Sequence, residues 1–226
     1  MKASNILLAV LISMVLLITV GSNLVLKAEF DNIDRKNPYA GYKMESLKPF
    51  KHVKLEGKEL GLTEIRQGDT YEIRMMPEHR YLDVDVVGDT LRLTYKRDGS
   101  PNGLTSAMKL NSVPSFYIFA PTITSVEAED ITWKLRDWKG ENMLINQNGS
   151  GFGLVDNDIK NLNVQVSKGA FAKLEAKNAF GTANMAVKDS STLLIEKDVL
   201  KTFNAKVDSS AHISLPGSLL RKMGPL

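Results

Sequence analysis

Three histidines, two closely spaced aspartates and one tryptophan with cationic neighbours are the residues of this sequence best suited to chemistry. His52 and His79 fall in or beside alternating segments and His212 lies far downstream, so no two imidazoles have the short spacing that aims a pair at one zinc ion. Asp83 and Asp85 flank Val84 and share a strand face with Tyr81, an arrangement that could hold calcium or work as a carboxylate pair. Their alternation with Leu82, Val84 and Val86 assigns them instead to a solvated face. Glu78, His79 and Arg80 make a compact polar turn after Pro77, but no serine is identifiably set against His79 for a hydrolytic triad. The glycines of NGSGFG, residues 148–153, lack the strand-to-helix setting that dinucleotide binding needs. In TWKLRDWKGEN, from Thr132 to Asn142, Trp133 and Leu135 take inward offsets. Trp138, Lys139 and Arg136 are the candidate ligand or partner contacts, because an exposed indole beside cations suits a sugar or a protein. Packing of Trp138 in the core or a corner is nevertheless the favoured reading. No residue is assigned to catalysis, cofactor binding or metal ligation, and the chain is read as a non-enzyme without cofactors.

Composition narrows the classes further. The 226 residues are 43% hydrophobic and 24% charged, which is ordinary globular composition. The 29 basic and 26 acidic residues are dispersed, leaving no concentrated electrostatic footprint for nucleic acid. With no cysteine, disulfides, thiolate metal sites, a cysteine nucleophile and a lipoprotein anchor are all excluded.

The elements that must position any site begin with a membrane segment. Asn5 to Leu26 carries no charge. At about 1.5 Å per residue such a helix crosses a hydrocarbon core of roughly 30 Å. Lys2 and the amino terminus precede it and mixed charge follows, which favours a cytoplasmic N-terminus and an extracytoplasmic, periplasmic domain. A signal peptide is the alternative, though no A-x-A site follows. The expected organisation is a cytoplasmic end at 1–4, an anchor or uncleaved signal at 5–26, a linker at 27–49, a β-domain at 50–218 and a tail at 219–226.

Within the domain, FKHVKLEG, YEIRMM, YLDVDVV and TLRLTYK alternate as strands do, and residues 97–115 interrupt them as a long loop with a short helical turn. Downstream the chain repeats. Segments starting at Glu129, Asn148, Ser167, Asp189 and Asp208 follow one another by 19, 19, 22 and 19 residues. Four of them place Trp133, Phe152, Phe171 or Leu193 at one offset, with His212 the exception. Gly149, Gly151, Gly169, Ala170, Ser190 and Ser191 are read as corners. A period near 20 with two short strands and a turn per unit is that of a β-solenoid, in which each coil buries its inward row only against the next. The expected fold is therefore all-β: a single-stranded β-solenoid, right-handed β-helix-like, preceded by one N-terminal transmembrane helix. Its core row is Trp133, Leu135, Phe152, Leu154, Phe171 and Leu193, and truncating Phe171 should cost about 3–5 kcal/mol.

FKHVKLEG, IRQGDTYEIRM, DVVGDTLRLTYK, FYIFAPTITSVEAEDI, GSGFGLV and DSSAHISL together resemble the head GIN domain family of putative autotransporter adhesins, found chiefly in envelope proteins of Bacteroidetes-type bacteria. The resemblance spans about residues 50–215 and departs where SKG and DSS stand for GSG and around residues 97–115. It implies a β-solenoid and brings no catalytic residues. The functional expectation is a membrane-anchored, non-enzymatic envelope module that binds an envelope protein or glycan through a solenoid face. The alternatives are a structural or homo-oligomerising unit pairing through an open solenoid end, which LPGSLLRKMGPL would cover, or a carbohydrate-active β-helix enzyme.

Overall fold

The computed structural model describes residues 3–32, 37–57, 61–77, 82–96 and 105–222. Glu78, His79, Arg80 and Tyr81, with the first part of the expected loop, lie outside the described residues. Two units are present, Met1–Gly41 and Tyr42–Leu226.

The first unit is the helix α1 (Ala3–Asn32). It is long and apolar enough to cross a membrane, with a mean hydropathy of 2.5 in its most apolar stretch and no burial of that stretch by protein.

The second unit is a β-solenoid. Its regular part starts with β8 (Ser125–Glu129), β9 (Thr132–Arg136), β10 (Lys139–Asn148) and β11 (Gly151–Val155). It continues with β12 (Asp158–Ser167), β13 (Phe171–Leu174), β14 (Ala179–Val187), β15 (Thr192–Ile195), β16 (Leu200–Val207) and β17 (His212–Ser214). Each coil gives one strand to a nine-stranded sheet and one to an eight-stranded sheet, the latter being the longer from β10 on, and coil pairs with coil in parallel. Alternation in the sequence decides which side chains go in. In β12, Leu162, Val164 and Val166 are buried and Asn161, Asn163 and Gln165 are exposed. The inward rows of both sheets meet in one continuous core.

Strand register corrects the repeat by one residue. Phe152 pairs with Trp133 on one side and with Ala172 on the other, so Ala172, not Phe171, continues the inward row, followed by Leu193 and Ile213. Trp133, Leu135, Phe152, Leu154 and Leu193 are all fully buried, whereas Phe171 is half-buried on the outer side. The slip arises at the corner. Asn148 pairs with Ser167 while Gly151 pairs with Phe171, so the second corner holds one residue more than the first. In a strand a one-residue shift exchanges the two faces. The same shift explains His212, which faces out while Ile213 faces in. Phe171→Ala should therefore cost about 1 kcal/mol or less in a denaturant titration, in place of the larger loss that an inward ring would produce.

Corner backbone has the left-handed conformation that small and polar residues tolerate, at Gly149 and Ser150, Lys168 and Gly169, and Asp189 and Ser190. Gly151 is small for a different reason. It lies in β11, and a Cβ there would stand 2.3 Å from the backbone oxygen of Phe171 on the next coil.

The entrance to the solenoid is not sequential. β2 (His52–Gly57) and β3 (Thr63–Gln67) form a coil directly beneath β8 and β9. The chain then runs through β4 (Glu72–Met75) and β5 (Leu82–Val87) before β6 (Thr90–Tyr95) and β7 (Phe116–Ala120) build the coil below. From β7 it passes β2 and β3 to reach β8. β5 pairs antiparallel with β6, β4 with β7, and β1 (Lys43–Ser46), drawn from the expected linker, with β4. These antiparallel strands end the parallel stack at one side. At the other, α3 (Gly217–Lys222) sets Leu219 into the core, and Lys222 Nζ donates to Leu200 O at 2.6 Å and pairs with Asp198 at 2.7 Å. That helix shields the start of the edge strand β16.

Candidate functional site: the outer faces of the solenoid

The nine-stranded sheet is occupied on its outer face. Glu64, almost fully buried, accepts from Arg66 Nε at 2.6 Å and from Arg136 Nε at 3.3 Å. Arg66 and Arg136 reach on to Asp137 at 3.5 Å and Asp156 at 3.7 Å, so each arginine pairs with the acid on the following coil. Lys134 beside them is buried, which pushes its ammonium below the usual lysine range against the attraction of Glu64. The helical turn α2 (Ser106–Lys109) leads into Leu110, whose side chain lies where a Cβ on Gly153 would touch it at 3.4 Å. The charges here are committed to one another across coils.

This geometry revises the contacts expected of Trp138, Lys139 and Arg136. Trp138 is 1% exposed: its side chain belongs to the core and its backbone N–H donates to Asn157 Oδ1 at 2.9 Å. The strand alternation that aims β9 outward at Arg136 is reset by the corner residue Asp137, whose φ is 54°. Arg136 is held by Glu64 and Asp156. Lys139 is exposed, with its backbone fixed by Gln67. The three do not converge on one surface.

The eight-stranded sheet divides into two halves. On its outer face the strands β5, β6, β2 and β8 carry charge. Asp83 pairs with Lys96, Asp85 stands opposite Arg92, and Lys54 bonds Glu56 at 2.9 Å. The two aspartates thus have cationic neighbours on the solvated face. Among the described residues, no group of three or more metal-ligating side chains is placed to hold an ion.

One constellation here was hidden from the sequence. His52 Nδ1 lies 2.7 Å from Ser125 Oγ, and its Nε2 lies 3.6 Å from Asp89 Oδ2. Ser, His and Asp in contact invite comparison with a hydrolytic triad. The Asp contact, however, exceeds hydrogen-bond length, and Thr124 Oγ1 approaches His52 Nδ1, the nitrogen that faces Ser125, at 3.5 Å. His52 and Asp89 side chains are 40% and 62% exposed on an open sheet face, without the water exclusion that strengthens catalytic electrostatics. They are cross-strand neighbours, since His52 pairs with Ser125 on one side and Thr90 on the other. Only the register brings them together, across 73 residues.

The other half, on β10, β12, β14 and β16, keeps exposed charges at the strand starts, at Lys139, Glu141, Asp158, Lys160 and Lys201, and is nearly uncharged beyond them. Register aligns Asn142, Asn161, Thr182 and Thr202 in one row; Leu144, Asn163, Asn184 and Asn204 in a second; and Asn146, Gln165, Ala186 and Lys206 in a third. Adjacent members of a row stand about 4.8 Å apart, the spacing of strands. Asn161 donates to Asn142 at 3.0 Å, Asn184 to Asn163 at 2.9 Å, and Asn204 to Asn184 at 2.9 Å. Along the strand direction the rows are bracketed by closed ion pairs. Lys160 bonds Glu141 at 2.6 Å, a contact that holds the lysine above its usual range, and Lys168 bonds Glu129 at 2.9 Å with the same effect. A hollow of about 510 Å³ opens over the second and third rows, where Ala186 leaves space between Gln165 and Lys206.

These amides were legible in principle. Asn142 and Asn161 recur at the coil period, as do Asn163, Asn184 and Asn204, the last three each between inward apolar residues. A search for reactive side chains passes over them because an amide is neither nucleophile nor acid.

The fold is similar to that of solved structures described as putative adhesins. One from Parabacteroides distasonis is 16% identical, with a TM-score of 0.57 and coverage of 77% of this chain and 74% of that one. Another from Bacteroides fragilis is 13% identical, with a TM-score of 0.48 and coverage of 77% and 96%. No protein-family model matches the chain, and no curated protein matches it. At such identities the likeness is one of fold.

Proposed function

We propose that this chain is a non-enzymatic, membrane-anchored module of the bacterial cell envelope, of the head GIN type, that binds its ligand through the amide-bearing rows of the eight-stranded sheet on β10, β12, β14 and β16. The observation that carries this reading is the pair of hydrogen-bonded asparagine rows, Asn142 with Asn161 on β10 and β12, and Asn163, Asn184 and Asn204 on β12 to β16. It offers a rigid, solvent-facing array of donors and acceptors that the core does not require. The apolar helix α1 is consistent with an anchor that holds the solenoid outside the cytoplasm. Similarity of fold to solved structures described as putative adhesins agrees with a binding role.

The test uses the full chain in liposomes and isolated envelope material from the source organism. Glutamate at Asn163, Asn184 and Asn204 together should abolish capture of that material, and Lys54→Glu on the charged half should leave it unchanged. Capture that survives the triple change with the fold intact overturns the assignment of the face.

A further inference from the structure

We infer that the ligand of this face is a neutral, hydroxyl-rich polysaccharide lying along the stack, across the strands; the inference rests on the reading of that face as the binding surface. The chemistry follows from how the amides are held. Asn184 donates one N–H to Asn163 and accepts one from Asn204, which fixes the orientation of its amide. A primary amide has two donor hydrogens and two acceptor lone pairs. Each ladder bond uses one donor and one acceptor site, so Asn184 keeps a second of each, and all three asparagines of the row are exposed. A hydroxyl is likewise donor and acceptor, and a fixed amide answers it without ordering a mobile side chain on binding.

Other ligand classes fit less well. A polyanion would lie against carbonyl oxygens with only Lys206 among the three rows to balance it, and a polycation would meet no carboxylate within them. A peptide adding as a strand needs unpaired backbone, but β12 and β14 are paired on both sides. The hollow over Ala186, bordered by Leu144, gives the apolar C–H face of a sugar a place between the amide rows. Because these rows carry no aromatic ring for stacking, each sugar is held weakly. Affinity must then accumulate along a repeating polymer and across copies tethered in one membrane.

The experiment is affinity electrophoresis of the full chain in detergent through gels containing dextran, mannan, laminarin or galactan, with polygalacturonate and a heparin-type polyanion as charged comparators. At least one neutral polymer should retard the protein, with little dependence on salt. Asn184→Asp, nearly isosteric, should weaken that retardation about tenfold, the effect of losing one good hydrogen bond. Ala186→Arg, which fills the hollow, should do the same, and unchanged melting of either variant certifies the fold. Retardation by a neutral polymer that persists in both variants overturns the site. Salt-sensitive retardation by the polyanions alone, lost in the variants, overturns the ligand class while leaving the face as the binding surface. Absence of retardation by every neutral polymer overturns the inference, and loss of envelope capture in the asparagine triple variant would then still support the broader reading.

Discussion

Trp133→Ala is expected to lower the free energy of unfolding by about 3–5 kcal/mol. Trp133 is fully buried, and its ring stacks on Phe152 of the next coil with centroids 5.4 Å apart and planes 20° from parallel. On its other side its strand partner is Thr63 of β3. The indole N–H donates to Gln147 Oε1 at 2.7 Å, while Gln147 Nε2 donates to Ile131 O at 3.2 Å and Gly149 O at 2.6 Å. Alanine would thus open a cavity between two coils and leave a buried amide oxygen without its donor. In a stacked fold the loss falls on the interface between neighbouring units, which is where such a fold keeps its stability. Denaturant titration of the wild type and the variant measures it, with Phe171→Ala as the outward-facing comparator. A change under about 1 kcal/mol would show that neighbouring coils close over the gap.

Asn157→Leu is expected to cost about 2–4 kcal/mol although it exchanges a polar group for an apolar one of similar size, because it strands the groups that Asn157 satisfies. Its Oδ1 accepts from the N–H of Trp138, and its Nδ2 donates to Leu135 O and to Asn178 Oδ1, both at 3.0 Å. Asn178 in turn donates to Leu154 O at 2.7 Å and Glu175 O at 2.8 Å. The two asparagines therefore tie three successive corners together inside the core, where both are nearly fully buried. Apart from the global loss, amide hydrogen exchange at Trp138 should accelerate, since that N–H loses its partner. Unchanged exchange at Trp138 would mean that another acceptor takes it.

The sequence revealed the architecture and missed its wiring. Strand alternation and the period near 20 are written residue by residue, because every coil faces the same packing problem. A corner that gains one residue leaves the period almost unchanged while exchanging inside for outside, and Phe171 and His212 were misplaced for that reason. An outward direction for Trp138 fails because a corner breaks the alternation from which it is extrapolated, and packing in the core is what the structure shows. The contacts of His52 with Ser125 and of Glu64 with Arg136 span 73 and 72 residues, several times the repeat. They exist because a whole coil is inserted out of order, and no local pattern encodes that. As for the candidate face, its asparagines were visible as outward positions, but their union in hydrogen-bonded rows needed the register.

The out-of-order coil has a mechanical side. β2 is clamped between β6 and β8, and β3 between β7 and β9, although they are among the first strands of the solenoid in chain order. Tension entering through the segment before Tyr42 would strip the four-residue β1 and then pull on strands gripped from both flanks. A pull along β2 would have to shear two ladders at once, where a strand at the end of the stack would hold by one.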